Sequence, residues 1–102
     1  MTDYTNFKNC FGEIVDLTDW NSFPLEWQEH KGDLWWFYRK CQYHLGYALL
    51  YTKYLYPDVD YADQMLRVDK LGIELGKNRH YIDPLYWAGL LYRIEDEIEN
   101  MC

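Results

Sequence analysis

The side chains of this chain that are best suited to metal chemistry are Cys41 and His44, which stand three residues apart. On a helix this spacing places two side chains on neighbouring positions of one face. Zinc needs about four ligands, and three or more of them usually come from the protein. Two ligands do not make a site. We therefore expect Cys41 to be a core thiol and His44 to be a half-buried partner of a carboxylate.

Residues for nucleophilic catalysis are equally sparse. Catalysis of this kind needs a Ser or Cys beside a base, with donors for the developing oxyanion. Ser22 is the only serine and stands in a cap-like position, while His80 and Asp83 flank a predicted turn. Gly72-x-x-x-Gly76 lies within an amphipathic pattern and is weak as a motif for binding phosphate. We predict that the protein is not an enzyme and has no metal or cofactor.

Carboxylates crowd the last turns of the final predicted helix. The helix dipole disfavours negative charge there, by about 0.3 kcal/mol or more for each group. Neighbouring cations such as Arg93, or lysines of the helix at residues 33–56, would explain the placement, and so would a basic partner. A simply solvated surface is the third interpretation. The predicted partner-binding residues are these acids and a second acidic set: Glu95, Asp96, Glu97, Glu99, Asp16, Asp19, Glu26 and Glu29.

Residues 35–40 mix Trp and Tyr with Arg39 and Lys40, as proteins that bind single-stranded nucleic acids do. Consecutive residues of a helix point in all directions, however, so part of this set must face the core. The net charge of −7 also opposes a nucleic-acid strand. Direct nucleic-acid binding is not expected. The rings with Arg39, Lys40 and His44 leave an alternative, which is a site for a nucleotide or a similar small anion.

Composition limits the class of protein. A length of 102 residues suits a single domain, and the aromatic share of 20% is more than a core of this size needs. Surplus Tyr and Trp favour an interface with another protein or with a second copy of the chain. Three cysteines without a CxxC pair indicate a reducing compartment. With no signal peptide and no span long enough for a bilayer, we predict a cytoplasmic protein without a membrane segment.

Helical spacing predicts an all-α, single-domain bundle with three main helices and one or two short N-terminal helices. Its first segment has a competing interpretation as a short strand at residues 13–17. Capping residues and prolines set most of the other boundaries, as at Asp33, Pro57 and Asp83–Pro84. The predicted helices cover about residues 3–16, 24–31, 33–56, 60–76 and 84–100.

Residues 33–56 form the most unusual predicted element. They are apolar over most of the helix circumference, with a narrow water-facing strip of Arg39, Gln42, Gly46 and Lys53. A helix of this kind is usually buried on several sides. We therefore interpret it as the central helix, packed within its neighbours.

Together these features predict a non-enzymatic protein-interaction module. One concrete form is an acidic inhibitor that blocks the basic nucleic-acid-binding surface of a partner protein, as antagonists of host defence do. This form is an analogy based on acidity, small size and missing catalytic residues. The alternatives are a helical protein that binds a nucleotide or another small molecule, and a module that self-assembles through exposed Tyr and Trp.

Overall fold

The computed structural model describes residues 5–50, 54, 57, 58, 60–80 and 83–101. Within these residues the all-α class with three long helices is confirmed. A 3-10 turn at Trp20–Ser22 precedes the first helix. The elements are β1 (Phe7–Lys8), β2 (Ile14–Val15), α1 (Leu25–Glu29), α2 (Leu34–Leu50), α3 (Ala62–Lys77) and α4 (Pro84–Met101).

The predicted helix at residues 3–16 is wrong wherever the structure describes it. These residues form a small hairpin, in which β1 and β2 pair antiparallel with Phe7 opposite Val15. The competing prediction of a strand at residues 13–17 is correct only for Ile14–Val15. Residues 3 and 4 lie outside the described part of the chain.

The hairpin forms because its turn has backbone and side-chain bonds that a helix would lose. Gly12 has a φ of +81°, a conformation that glycine adopts at little cost and that ends a helix. The Oδ1 atom of Asn9 accepts hydrogen bonds from the backbone N–H groups of Phe11 and Glu13, at 3.0 and 2.9 Å. This side chain therefore replaces the backbone bonds that a helix would supply.

The predicted caps of α2 and α4 are confirmed. Asp33 accepts a hydrogen bond from the N–H of Trp36 at 3.2 Å, at the start of α2. Asp83 likewise accepts from the N–H of Leu85 at 3.0 Å, directly before Pro84 begins α4. The predicted continuation of α2 over residues 51–56 lies outside the described residues, apart from Tyr54.

The helix at the centre of the fold is α4, so the interpretation of residues 33–56 as the central helix is wrong. The fully buried side chains of α4 are Trp87, Ala88, Leu90, Leu91 and Ile94. On one side α2 packs parallel to α4, and on the other side α3 packs antiparallel to it. The hairpin and the loop after it cover a third side, where Leu17 lies beside Gly89.

Helix α2 is buried along one side only. Phe37, Cys41 and Ala48 are fully buried. Cys41 lies against Trp87 of α4, and Phe37 packs against the rings of Trp20 and Trp27. Phe37 is a core residue that the sequence analysis missed. On the opposite side the rings of Trp35 and Tyr43 are exposed, so the exposed strip is far wider than predicted. Of the helices in the described residues, none combines the length and the apolar character that a membrane crossing needs.

Candidate interaction surface

The exposed side of α2 carries several large aromatic side chains. Its residues recur at intervals of three or four, which places them on one face of a helix. Trp35 is 65% exposed and Tyr43 is 69% exposed, although both are large apolar side chains. We name this surface the α2 outer face and define it by Trp35, Arg39, Tyr43, Gly46, Tyr47 and Leu50.

An open concavity of about 790 Å³ lies at the N-terminal end of this face, lined by Asp33, Trp35, Trp36, Arg39, Lys40 and Tyr43. Trp36 forms its fixed wall. The ring of Trp36 stacks on His30 with centroids 4.1 Å apart and planes 9° apart, and Lys40 Nζ lies 5.4 Å from the same ring. Contacts on both the ring and the backbone of Trp36 therefore hold this wall in place.

The concavity has a local charge opposite to that of the whole chain. Arg39 and Lys40 are exposed there, and Asp33 is the one carboxylate among its lining residues. Rings and cations of this kind suit apolar or anionic groups of a ligand. The predicted nucleotide site falls here in part, although His44 lines a different side of α2. Nucleotide binding stays a prediction.

The four acids at the end of α4 are mostly engaged within the molecule. Asp96 accepts a hydrogen bond from the backbone N–H of Cys10 at 2.8 Å, which ties the hairpin to α4. Both carboxylate oxygens of Glu97 accept from Arg67 Nε, at 3.1 and 3.0 Å. Of the four, Glu99 is the most exposed.

Arg93, the cation predicted to neighbour these acids on α4, pairs with a residue of another helix. Arg93 forms two hydrogen bonds of 3.0 Å with the carboxylate of Glu74 on α3. The cation beside Glu97 is Arg67, also on α3. Cations do offset part of this charge, but none of them comes from α4 itself. Arg67 of α3 pairs with Glu97, and Lys40 of α2, one of the predicted lysines, acts on Glu95.

The second acidic set divides into two groups. Asp16 accepts bonds from the N–H and the hydroxyl of Thr18, at 2.9 and 2.6 Å, and Asp19 caps the 3-10 turn. These two carboxylates shape the loop between β2 and α1. Glu26 and Glu29 are exposed on α1. Partner binding by any of the eight acids stays a prediction.

His44 and Glu95 form the contact predicted for a half-buried histidine. His44 Nε2 lies 3.2 Å from Glu95 Oε1. Burial raises the pKa of Glu95, and the carboxylates of Glu99 and Glu26 raise it further, although Lys40 opposes them. Burial and the charge of Lys40 lower the pKa of His44. Both side chains therefore favour their neutral forms more than free side chains do.

The described cysteines are not activated. Cys41 is buried and its Sγ lies 3.7 Å from the carbonyl oxygen of Trp87, as expected for a core thiol. Burial raises the pKa of the Cys41 thiol. Partial burial and the Asp96 carboxylate raise that of Cys10 to about 11, so both are protonated at neutral pH. Cys102 lies outside the described residues.

Fold and surface together define a small helical protein with an N-terminal hairpin and an exposed aromatic helix face. Among the described residues, no three His, Cys, Asp or Glu side chains are grouped as a metal site would require. No family model, curated protein or solved structure matches this chain. Trp35 and Tyr43 belong to the surplus of aromatic residues for which an interface is predicted. Helical spacing could not show which rings are exposed, because it treats Tyr and Trp as apolar.

Proposed function

We propose that this protein is a non-enzymatic protein-association module of the cytoplasm, which docks another polypeptide chain on its α2 outer face. The supporting observation is the exposure of Trp35 and Tyr43 beside Arg39 on a single helix face. Trp, Tyr and Arg are the residue types that contribute most binding energy at protein interfaces. Contiguous exposed apolar patches on soluble proteins commonly mark such interfaces.

The local packing supports the same function because it fixes the exposed rings. Trp35 meets Tyr38 edge to face with centroids 5.8 Å apart, and Tyr38 in turn contacts the buried Trp87. Tyr43 meets His44 edge to face at 5.7 Å. Rings that are held before binding lose little side-chain entropy when a partner covers them.

The test compares partner capture by the wild type and by a variant carrying both Trp35→Ala and Tyr43→Ala. Both rings are exposed, so we expect the variant to remain folded, with losses in partner binding of about 2 kcal/mol or more. Immobilised protein is exposed to a native lysate, and retained proteins are identified by mass spectrometry. Leu66→Ala on α3 is the control, because it removes an exposed apolar side chain from another surface. The same retained proteins with all three forms would refute the proposal.

A second candidate function is the acidic inhibitor of a basic surface. It is favoured by the carboxylates of Glu99 and Glu26, which both lie near enough to Glu95 to raise its pKa. Binding by this region should weaken as salt rises, because screening reduces attraction between exposed charges. A variant with Glu26→Gln and Glu99→Gln should lose both affinity and salt dependence for a captured partner. Affinity that is the same with and without these two charges would exclude the acidic region as the binding surface.

A further inference from the structure

The concavity on α2 follows a groove between two rows of side chains. One row is Trp35, Arg39 and Tyr43, and the neighbouring row contains Trp36 and Lys40. Members of a row are four residues apart, so they are spaced about 6 Å along the helix axis. In the commonest class of helix packing, such a row on one helix lies in the groove between two rows of the other. The groove on α2 can therefore receive a row of side chains from a second helix.

The guanidinium of Arg39 is the unpaired charge in this groove. It forms no hydrogen bond or ion pair with any residue that the structure describes. The carboxylate of Asp33 is already engaged, because it caps α2 at the N–H of Trp36 and lies 3.9 Å from His30 Nδ1. The ammonium of Lys40 lies over the ring of Trp36. A ligand in the groove can therefore pair with Arg39 without breaking an existing contact.

Charge complementarity favours an acidic ligand. Helices α1, α3 and α4 each contain Asp or Glu, whereas α2 contains Arg39 and Lys40 and no carboxylate over Leu34–Leu50. Charges more than about 8 Å apart are largely screened at physiological salt. A group bound in the groove is therefore influenced mainly by the two cations of its lining, although the whole chain has a net charge of −7.

We propose that this groove binds an acidic amphipathic helix of another protein, in which an Asp or Glu has an apolar residue four positions before it and another four positions after it. This inference rests on the proposed function and names the chemistry of the segment that docks on the α2 outer face. Rows of packed helices run in the same direction, so the three side chains of the partner repeat at the spacing of Trp35, Arg39 and Tyr43.

Each group of the partner then has a counterpart on α2. The acid lies at Arg39, whose planar guanidinium can donate to both oxygens of one carboxylate. The apolar residues lie at the exposed rings of Trp35 and Tyr43. Trp, Tyr and Arg are the residue types that most often dominate binding energy, and here they form one continuous row.

A nucleic-acid strand fits this groove less well. Its affinity comes from several Lys and Arg residues that contact successive phosphates. The lining of the groove supplies two cations, and one of them, Lys40, is shared with the ring of Trp36. A peptide carboxylate needs only the guanidinium of Arg39. The charges therefore favour a protein segment over a nucleic acid.

Selection of peptides tests the predicted pattern. A phage-displayed library of random peptides of about 16 residues, or about four helical turns, is selected on the wild type and on Arg39→Glu. Peptides selected by the wild type should be enriched in Asp or Glu with apolar residues four positions away on both sides. Arg39→Glu should select Lys or Arg at the central position, because like charges repel. Lys70→Glu, the same change of charge at an exposed position of α3, is the control and should select the wild-type pattern.

Affinity measurements then locate the acid on α2. The most enriched peptide is synthesised with its acid and with Gln in its place, and dissociation constants are measured by fluorescence anisotropy. Arg39→Glu should raise the dissociation constant of the acidic peptide about tenfold or more. Replacement of the acid by Gln should weaken binding to the wild type and not to Arg39→Glu, since the two groups act as a pair. The melting temperature of Arg39→Glu should stay close to that of the wild type, because Arg and Glu have similar helix propensities.

The inference is overturned if the wild type enriches no such pattern, if all three proteins select the same peptides, or if Gln weakens binding to the wild type and to Arg39→Glu equally. Enriched peptides that lack an acid but depend on Trp35 and Tyr43 overturn the acidic partner and leave the proposed function standing. Lysate capture that is independent of these two rings removes both. A gel shift of a single-stranded oligonucleotide that Arg39→Glu abolishes would assign the groove to nucleic acid instead.

Discussion

At the residue scale, charged side chains that join α3 to α4 show which contacts stabilise the fold. The Glu74 carboxylate accepts from both terminal nitrogens of Arg93 and also from the hydroxyl of Tyr86 at 2.9 Å. Burial and this carboxylate raise the pKa of Tyr86, so its hydroxyl stays a donor. Arg93 is only 11% exposed, which makes its pairing with Glu74 important for stability.

We predict that Glu74→Gln lowers the free energy of unfolding by about 2–3 kcal/mol, because it leaves a mostly buried guanidinium without a charged partner. Urea unfolding measures the change. Glu97→Gln is the comparison, since Arg67 is 44% exposed and an exposed pair contributes less than about 1 kcal/mol. Equal losses from the two substitutions would contradict this ranking.

The pair of His44 and Glu95 leads to a pH-dependent prediction. Because the folded state raises the pKa of Glu95, its proton is held more tightly after folding than before. The contribution of this group to stability is therefore full at low pH and is lost as pH rises through the raised pKa. Glu95→Gln cannot ionise. It should equal the wild type in stability at low pH and exceed it at neutral pH, by less than about 1 kcal/mol for a partly exposed group.

Thermal unfolding of both forms between acid and neutral pH checks this difference. A stability difference that is constant over the range would show that ionisation of Glu95 has no part in it.

The sequence predicted that His44 pairs with a carboxylate, but it could not name Glu95. The two residues are brought together by the packing of α2 on α4, which no local pattern encodes.

At the element scale, the hairpin shows where helical periodicity misleads. Phe7, Cys10, Phe11 and Ile14 have the spacing of a helix, yet the first and last of these belong to paired strands. Strands of two residues are too short to produce an alternating pattern. Gly12 is the available signal for a turn, because glycine weakens a helix and tolerates a positive φ. The caps of α2 and α4 were predicted correctly because their hydrogen bonds are local in sequence.

Replacing a glycine by alanine should have opposite effects on stability in the hairpin and in α3. Gly12→Ala should destabilise the fold by about 1 kcal/mol or more, since alanine is strained at a φ of +81°. Gly76→Ala should stabilise it by up to about 1 kcal/mol, because alanine favours the helix and the space above Gly76 is open. Chemical denaturation measures both, and changes of the same sign would contradict the backbone assignment.

At the scale of the whole molecule, the position of α4 decides which residues are interior. The sequence predicted the number and approximate bounds of the long helices, but it placed the centre on α2. Periodicity counts Tyr and Trp as apolar, whereas their polar tips also suit a surface. The acidic binding residues were chosen from charge alone, and most of their internal partners come from distant parts of the chain. Local sequence does not reveal such contacts.

Substitution of two leucines tests whether α4, and not α2, is the interior helix. Leu91→Ala on α4 should cost about 2–5 kcal/mol, because it leaves a cavity in a fully buried site. Leu50→Ala on the α2 outer face should change stability by less than about 0.5 kcal/mol, measured at low protein concentration. A larger loss of stability from Leu50→Ala than from Leu91→Ala would mean that α2, not α4, is the interior helix.

The central place of α4 also has a consequence during translation. The ribosome makes α4 after the hairpin, α1, α2 and α3, yet each of the bonds from Asn9 to Tyr92 and from Cys10 to Asp96 spans more than 80 residues. Until α4 emerges, the nascent chain lacks the surface against which Cys41 is buried. The core of this protein is therefore completed only after α4 leaves the exit tunnel, and apolar side chains of the earlier segments stay exposed until then.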